Sequence, residues 1–328
     1  MTRRAAPFIG VDLGGTNMQV GVVSAGAEVV AHLKKKTRAD RGPDAVYDRL
    51  VSSIEEACAE AHVEPAGLGA IGLAVAAAVE VDRGVVIEAP NIGWRDDPLA
   101  QRIHDRLGAP VFLENDVNAA VLGEHRFGAI VGAPEALGVW VGTGVGGAII
   151  LGGALHRGAL GTAGEIGHVT LLPGAPTGLS KLEETCSRSA IVARLARLAR
   201  GRDTLLHELA PEGVAQIKSR IVAEAYTRVD PLTRTVVDES ADLLGVAIGS
   251  AVTLLGMGTV LMGGGLVEAI GDPYVQRVAS SARERVFPHS SRDVRFVQTA
   301  LRERAGVLGA VAAAQDRLAT GEGADAGN

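Results

Sequence analysis

The sequence of 328 residues is poor in cysteine, in aromatic side chains and in charge. It has two cysteines, Cys58 and Cys186, with 3% aromatic and 21% charged residues and a net charge of -6. Two cysteines cannot form a disulfide framework, and neither has another at metal-ligand spacing, so we expect a reducing compartment, the cytoplasm. The acidic balance argues against a nucleic-acid or anionic-membrane partner.

A clear membrane span and a signal peptide are also lacking. Residues 243–267 reach membrane length without a charge, but glycines interrupt them and their spacing changes from helical to β-like. This change favours a buried helix followed by a buried strand. Asp12 cuts short the apolar stretch behind the basic N-terminus, which argues against a signal peptide.

Glycine is abundant instead, with 43 residues in a chain that is 47% hydrophobic. Such a composition indicates many tight turns or close approaches of the backbone to a ligand. The length exceeds one ordinary core, so we expect two lobes. We predict a small lobe from residues 1–117 plus 304–328 and a large lobe from residues 118–303.

The remaining periodicity predicts strands alternating with helices. We predict helices over residues 43–61, 97–107, 183–199, 211–228, 231–255, 272–286 and 304–318. Strands are predicted at 7–12, 18–23, 27–36, 69–75, 79–81, 85–87, 109–113, 136–141, 148–151, 259–262 and 294–297. The first half therefore reads as a mixed sheet with helical cover.

One device of strand, Gly/Thr turn and returning strand occurs in both halves. The first turn is Gly14-Gly15-Thr16 and the second covers residues 142–147. The exposed N–H and hydroxyl groups of such turns can hold phosphate oxygens, although either turn alone is compatible with an ordinary hairpin. Residues 142–147 satisfy G-x-G-x-x-G, but a strand follows where a dinucleotide-binding fold needs a helix.

Two further features accompany the turns. Asp12 ends the strand before the first turn, where it could cap that turn or hold Mg²⁺ through water. Residues 263–265 are three consecutive glycines after a predicted strand, which suits either close approach of a nucleoside or helix-strand packing.

Polar groups are concentrated at one strand-to-helix corner and in one glycine-rich stretch. At the corner, Asn115 or Asp116 is a natural N-cap, and a corner at the rim of a sheet can also present such groups to a ligand. Glu165 and His168 lie among glycines too numerous for a stable helix. A lone histidine is more often structural, but an acid and an imidazole together can bind vicinal hydroxyls.

Six motifs in order resemble the ROK family of bacterial sugar kinases and sugar-responsive repressors, most closely its glucokinases. They lie at residues 12–17, 89–94, 114–120, 142–147, 164–168 and 262–265, and the resemblance covers about residues 7–315. It implies an α/β, two-lobed actin/hexokinase-type (ribonuclease H-like) ATPase fold. Each lobe would be a mixed sheet with helices, with ATP and sugar meeting between the lobes.

The resemblance also implies residue roles. Asp116 would be the general base for the 6-hydroxyl of the sugar, a role that suits phosphoryl transfer. The sugar would be bound by Asn91, Asn115, Asp116, Glu165, His168 and Glu183, with Glu184 as the alternative to Glu183. ATP would be held by Gly14, Gly15, Thr16, Asn17, Gly142, Thr143, Gly144, Gly146, Gly264 and Gly265, and Mg²⁺ by Asp12 through water.

This sequence departs from the family pattern in two places. Residues 174–183 lack the family's zinc-binding cysteines, so we expect no structural zinc, and what orients His168 is left open. Residues 76–78 are alanines where the family has Pro-Gly. No DNA-binding helix-turn-helix precedes residue 7, which argues against the repressor branch.

We therefore expect an ATP- and Mg²⁺-dependent hexose kinase that forms a homodimer, with glucose as its substrate. N-acetylmannosamine, fructose or N-acetylglucosamine as substrate, polyphosphate as donor, and a non-catalytic sugar sensor remain open alternatives.

Overall fold

The computed structural model describes residues 6–176 and 178–321. The strands are β1 (Phe8–Leu13), β2 (Asn17–Val23), β3 (Val29–Lys36), β4 (Ile71–Val75), β5 (Ala78–Glu80), β6 (Val85–Ala89), β7 (Trp94–Asp97), β8 (Val111–Asn115), β9 (Ala136–Val141), β10 (Val145–Leu151), β11 (Ala154–His156), β12 (Thr259–Gly263) and β13 (Arg295–Gln298). The helices are α1 (Pro43–Glu60), α2 (Leu99–Leu107), α3 (Asp116–Phe127), α4 (Glu183–Cys186), α5 (Arg188–Leu198), α6 (Leu206–Leu209), α7 (Ser219–Thr227), α8 (Pro231–Leu255), α9 (Gly265–Ile270), α10 (Asp272–Arg283) and α11 (Ala305–Ala319).

The chain divides into two compact units. Unit 1 holds the described residues up to Val131, the segment Gly158–Thr162 and the described residues from Glu303 onward. Unit 2 holds Gly132–Arg157 and Ala163–Arg302. The division differs from the predicted bounds of 117 and 118, because α3 packs against α11 and both helices belong to unit 1.

Unit 1 is built on a mixed five-stranded sheet in the order β3-β2-β1-β4-β8. The β1–β2 and β2–β3 pairs are antiparallel, whereas β1, β4 and β8 run parallel. In this register Asp12, Ala74 and Glu114 lie side by side. The end of β1 and the start of α3 are therefore on one edge of the sheet, about 10 Å apart across two strand spacings.

Glycines let α11 pack closely in unit 1. A Cβ atom on Gly309 would overlap the carbonyl of Ala119 in α3, and a Cβ on Gly72 of β4 would overlap the carbonyl of Ala310 in α11. Such contacts exclude any side chain, because backbone atoms cannot move away as a flexible side chain can. They place α3 and α11 directly on the sheet that carries the corner at Asp116.

Unit 2 repeats the strand pattern of unit 1. Its sheet has the order β11-β10-β9-β12-β13, with antiparallel pairs on the β10 side and parallel pairs on the β12 side. Most of its core lies between this sheet and the helices from α4 to α10. The duplicated strand–turn–strand device predicted from the sequence is therefore confirmed.

The helix and strand predictions are confirmed in part. The apolar run at 243–267 is the end of α8 followed by β12, and no helix within the described ranges is long and apolar enough to cross a membrane. The continuous helix predicted over 183–199 is wrong, because Ser187 is extended and its side chain caps α5 by accepting from Ala190 N–H at 3.1 Å.

The helix predicted over 211–228 is wrong at its start. Gly213 has φ of 121°, and α7 begins only at Ser219. The short strands β7 and β11 were not predicted, since three or four residues carry too little periodicity to be recognised.

Candidate functional site

The first Gly/Thr turn links β1 to β2 in unit 1. Gly14 N–H donates to the carbonyl of Asn17 at 3.0 Å and closes the turn, while Thr16 and Asn17 are exposed. The buried Thr37 supports it from behind, because its hydroxyl donates to the carbonyl of Gly14 at 2.6 Å. The turn is thus held by its own backbone and by Thr37, which leaves its outer groups for a ligand.

Asp12 lies at the edge of the sheet just before this turn. Burial raises the pKa of its carboxyl from 3.8 to about 6, against the opposing effects of a hydrogen bond with Gln19 and the charge of Lys34. A Cβ atom on Gly306 would come within 2.7 Å of this carboxyl, so the start of α11 packs against it. A half-buried acid with a raised pKa next to an open turn is a typical feature of a functional site.

The donor set around Asp12 fits Mg²⁺ held together with phosphates. Within the described residues, no cluster of three or more His, Cys, Asp or Glu side chains is placed to hold a metal ion. Mg²⁺ commonly takes one or two carboxylates and fills its remaining positions with phosphate oxygens and water. Asp12 beside the first turn supplies the one carboxylate that this kind of Mg²⁺ binding needs. The described residues do not supply the several carboxylates of an all-protein metal site.

Asn91 lies against the first turn. A Cβ atom on Gly15 would come within 2.8 Å of the Cβ of Asn91, so the glycine is required for this approach. Asn91 is exposed and follows β6 in the turn that leads to β7. The structure therefore brings a predicted sugar residue and a predicted phosphate turn together within unit 1.

The corner between β8 and α3 is built around Asn115. Its side chain is the N-cap of α3, accepting from Val117 N–H at 2.9 Å and Asn118 N–H at 3.1 Å. Its amide donates to the carbonyl of Ala77 at 3.2 Å, in the turn where alanines replace Pro-Gly. Asn115 is thus the cap, and one of its amide hydrogens is left for a ligand.

Asp116 is the first residue of α3 and is half-buried. Its Oδ1 accepts from Val117 N–H at 3.0 Å, which fixes the carboxylate at the helix N-terminus, where negative charge is favoured. Glu114 behind it is 1% exposed and accepts from Asn118 Nδ2 at 3.0 Å, a structural role. The predicted helix cap is thus Asn115, and the acid predicted to face a ligand is the next residue, Asp116.

The second Gly/Thr turn links β9 to β10 in unit 2. Gly142 N–H donates to the carbonyl of Gly144 at 2.9 Å, and Glu183 accepts from Val145 N–H at 2.8 Å. A Cβ atom on Gly144 would overlap the carboxylate of Glu183. Glu183, predicted as a sugar residue, is therefore attached to the second turn.

Arg188, the first residue of α5, also contacts the second turn. Its N–H donates to the carbonyl of Gly142 at 2.9 Å, and its Nη2 donates to Thr143 Oγ1 at 2.9 Å. The sequence contains no signal for this contact, because Arg188 lies 45 residues from Thr143 and its helix was expected to start earlier. Gly146, the remaining predicted phosphate residue of this turn, is the second residue of β10.

Glu165 and His168 are both exposed in unit 2. Glu165 precedes a single 3-10 turn, Ile166–His168, and His168 ends it, its N–H donating to the carbonyl of Glu165 at 3.1 Å. A Cβ atom on Gly167 would overlap the carbonyl of Val145, so this segment lies directly on β10. The segment, the second turn and Glu183 thus form one continuous region of unit 2.

The stretch between His168 and Glu183 is held by hydrogen bonds. Leu171 N–H donates to Ser180 O at 2.8 Å and Leu182 N–H donates to Val169 O at 3.0 Å. Glu184 accepts from Ser180 N–H at 2.9 Å and Lys181 N–H at 3.0 Å, and these backbone donors lower its pKa. The stretch between His168 and Glu183, called the hairpin below, is therefore anchored by Glu184.

Cysteine does not take part in this hairpin. Cys186, in α4, is buried, its thiol donates to the carbonyl of Ser240 at 3.4 Å, and burial raises its pKa to about 11. The thiol is therefore a packed core group with a hydrogen bond inside unit 2. The expectation that no structural zinc is present stays a prediction.

The glycines at 263–265 lie at the same edge of the sheet as the second turn. Gly264 has φ of 91°, and a Cβ atom on it would come within 2.7 Å of Val141 N and O, just before the turn. Gly265 begins α9. Unit 2 thus places the predicted nucleoside residues next to the predicted phosphate turn.

Comparisons of this chain with known proteins agree on one family. A profile of the ROK family matches residues 8–317. Glucokinase from Halalkalibacterium halodurans is 31% identical over 309 residues, covering 92% of this chain and 93% of the relative. A putative xylose repressor from Caldicellulosiruptor sp. is 27% identical, covering 93% of this chain and 77% of the repressor.

A solved structure extends this likeness to the fold. The ROK family glucokinase from Streptomyces griseus, in complex with glucose and AMPPNP, matches with a TM-score of 0.81 and 29% identity, covering 94% of this chain and 99% of that one. Such sugar kinases have the actin/hexokinase-like fold, so the predicted fold class is confirmed.

Proposed function

This chain belongs to the ROK family, and we propose that it is an ATP-dependent hexose kinase that phosphorylates the 6-hydroxyl of glucose. Its similarity to glucokinases over more than nine-tenths of both chains supports sugar phosphorylation. The neighbour with bound glucose and AMPPNP supports a sugar and a nucleotide as the two ligands.

Asp116 is proposed as the general base. Phosphoryl transfer needs positioning, charge neutralisation and one carboxylate that accepts the proton of the attacking hydroxyl. The observation that carries the proposal is the corner at the start of α3, where the cap by Asn115 and the bond from Val117 N–H fix the Asp116 carboxylate at a sheet edge. A fixed carboxylate loses little further freedom when the substrate binds.

The two Gly/Thr turns are proposed to hold the phosphates of ATP, with Gly264 and Gly265 at the nucleoside. Asp12 would hold Mg²⁺ through water, and the ion would neutralise charge on the transferring phosphoryl group. Thr37 donates a hydrogen bond to the first turn and Arg188 donates one to the second, so each turn is held in place by a residue outside it.

In keeping with the roles that the resemblance implies, Asn91, Asn115, Glu165, His168 and Glu183 are proposed as the residues that bind sugar hydroxyls. Glu183 is favoured over Glu184 because the carboxylate of Glu184 is used by the backbone of its own hairpin. Since Glu183 is attached to Val145 of the second turn, sugar binding and phosphate binding in unit 2 would be mechanically linked.

The test is Asp116→Ala in a coupled assay of ADP formation over a panel of hexoses. We expect turnover to fall by about a thousandfold or more, since a positioned base contributes roughly that factor. The exposed Asp48→Asn is the control and should keep wild-type rates. Near-normal turnover by a folded Asp116→Ala protein would contradict the proposed base, and the panel would identify the preferred hexose.

A sugar sensor without catalysis is the second candidate, because the chain is also similar to a xylose repressor. Calorimetry would separate the two functions. Glucose binding without ADP formation under any tested donor would favour the sensor, whereas glucose-dependent ADP formation would favour the kinase.

A further inference from the structure

A groove of about 510 Å³ lies along α5 in unit 2. One wall is α5 from Arg188 to Arg197 together with Arg200 just after the helix, and the other wall is the segment 215–217. Val192, with Ile217 opposite, forms an apolar floor. The charged residues that line the groove therefore decide what it can bind.

Three arginines, Arg188, Arg197 and Arg200, line this groove, and no carboxylate is among its lining residues. Within the ranges that the structure describes, no acid lies within ion-pair distance of any of the three. By contrast, Arg194 on the same helix is paired with Glu239 and does not line the groove. Arginines spaced along one groove without acids give it a positive potential that suits phosphate groups.

Arg188 connects the groove to the second Gly/Thr turn. This residue lines the groove and also bonds to Gly142 and Thr143 of the turn. Ser187 caps α5 directly beside the turn, so the positive end of the helix dipole adds to the charge of Arg188 there. Phosphates held on the turn would therefore have further cationic contacts along α5.

We propose that the α5 groove binds a chain of phosphates that continues from the second Gly/Thr turn, with Arg188 at the near end and Arg197 and Arg200 at the far end. The proposal rests on the proposed kinase function in one respect only, namely that the phosphate chain is taken to be the phosphoryl donor. Helix α5 rises about 15 Å from Arg188 to Leu198. This is longer than the triphosphate of a nucleotide, so Arg188 would contact any phosphate chain and the far arginines only a longer one.

Equilibrium binding to the full chain tests this assignment without requiring turnover. Calorimetry at fixed ionic strength would compare inorganic tripolyphosphate, long-chain inorganic polyphosphate and ATP on the wild type, Arg188→Ala, the double variant Arg197→Ala/Arg200→Ala, and the control Arg194→Ala. We expect Arg188→Ala to weaken all three ligands about tenfold, the size of one charge-assisted hydrogen bond at a partly exposed site.

The double variant Arg197→Ala/Arg200→Ala distinguishes a nucleotide from inorganic polyphosphate as the source of the phosphate chain. We expect it to weaken long-chain polyphosphate by roughly tenfold or more while leaving tripolyphosphate unchanged, since only the longer chain reaches the far end. If the groove served only a nucleotide, Arg188→Ala would weaken ATP and the double variant would change nothing, which would overturn the far end of the site.

Two results would overturn the whole proposal. One is wild-type binding of every ligand by Arg188→Ala and by the double variant. The other is an equal loss in Arg194→Ala, since the effect would then be unspecific surface charge. Failure of the kinase function would appear differently, as ADP formation that is absent while phosphate chains still bind in the expected order.

Discussion

The two Gly/Thr turns share a backbone but differ in the charge beside them. In unit 1 the residue two positions before the first glycine is Asp12, and in unit 2 it is Trp140, which packs against Gly263. The second turn has a carboxylate too, Glu183, but this one is bonded to the backbone of the turn, and a cation, Arg188, lies beside it at the N-terminus of α5. A duplicated structural device has thus diverged, with a carboxylate suited to a metal ion at one turn and a guanidinium suited to phosphate at the other.

Among the changes that compare the two turns, the largest effect is expected when the acid of the first turn is removed. Asp12→Asn should lower turnover by about a hundredfold or more, because the residue proposed to hold Mg²⁺ through water is lost. The Mg²⁺ dependence of ADP formation, measured from about pH 5 to pH 8, should show weaker Mg²⁺ binding as the pH falls through about 6 and Asp12 takes up a proton.

The same variant should be more stable at neutral pH. Because the folded state raises the pKa of Asp12 from 3.8 to about 6, it binds more protons than the unfolded chain between these values, and stability falls as the pH rises through them. The difference amounts to up to roughly 3 kcal/mol above pH 6. Thermal unfolding at neutral and at acidic pH measures it, and a less stable Asp12→Asn protein at pH 7 would contradict the desolvation argument.

A smaller effect is expected when the second turn loses its contact with Glu183. The Cβ atom of Gly144→Ala would displace the Glu183 carboxylate and leave Val145 N–H without its acceptor. We expect KM for the hexose to rise about tenfold or more, as the loss of a partly buried hydrogen bond predicts.

Two alanine variants make this result specific to the turn. Gly258→Ala adds a methyl group in open space in unit 2 and should leave KM unchanged. Gly15→Ala is the matched change in unit 1, where the methyl group would push against Asn91. Unchanged KM in Gly144→Ala would show that Glu183 does not depend on the turn.

Sequence alone predicted the duplicated sheets because their motifs are local. The β1–turn–β2 hairpin and the helix cap predicted at Asn115 or Asp116 each lie within a few residues, where periodicity and capping preferences act directly, and the structure assigns the cap to Asn115. Contacts such as Arg188 with Thr143 or Thr37 with Gly14 could not be predicted, since they depend on how distant segments pack. The break at Ser187 was missed because helical patterns continue on both sides of it, and the start at residue 211 was wrong because Pro211 is typical of a first helical turn while the positive φ of Gly213 cannot be read from the sequence.

The choice between Glu183 and Glu184 shows the same limit. Both are acidic and adjacent in α4, so only the structure separates them. Glu183 reaches the second turn, whereas Glu184 accepts from Ser180 and Lys181 of the hairpin that follows His168. The hydrogen bonds of Glu184 could therefore supply in this chain the anchoring that cysteine ligands would otherwise provide.

The smallest effect is expected from removing that anchor. Glu184→Ala should raise KM for the hexose by roughly threefold to tenfold with little change in kcat, because the hairpin between His168 and Glu183 loosens while Asp116 is untouched. Glu184→Gln keeps one acceptor oxygen and should restore part of the loss. A fall in kcat as large as the rise in KM, or zinc bound stoichiometrically to the wild-type protein in elemental analysis, would contradict the anchoring role, since a metal would then hold the hairpin.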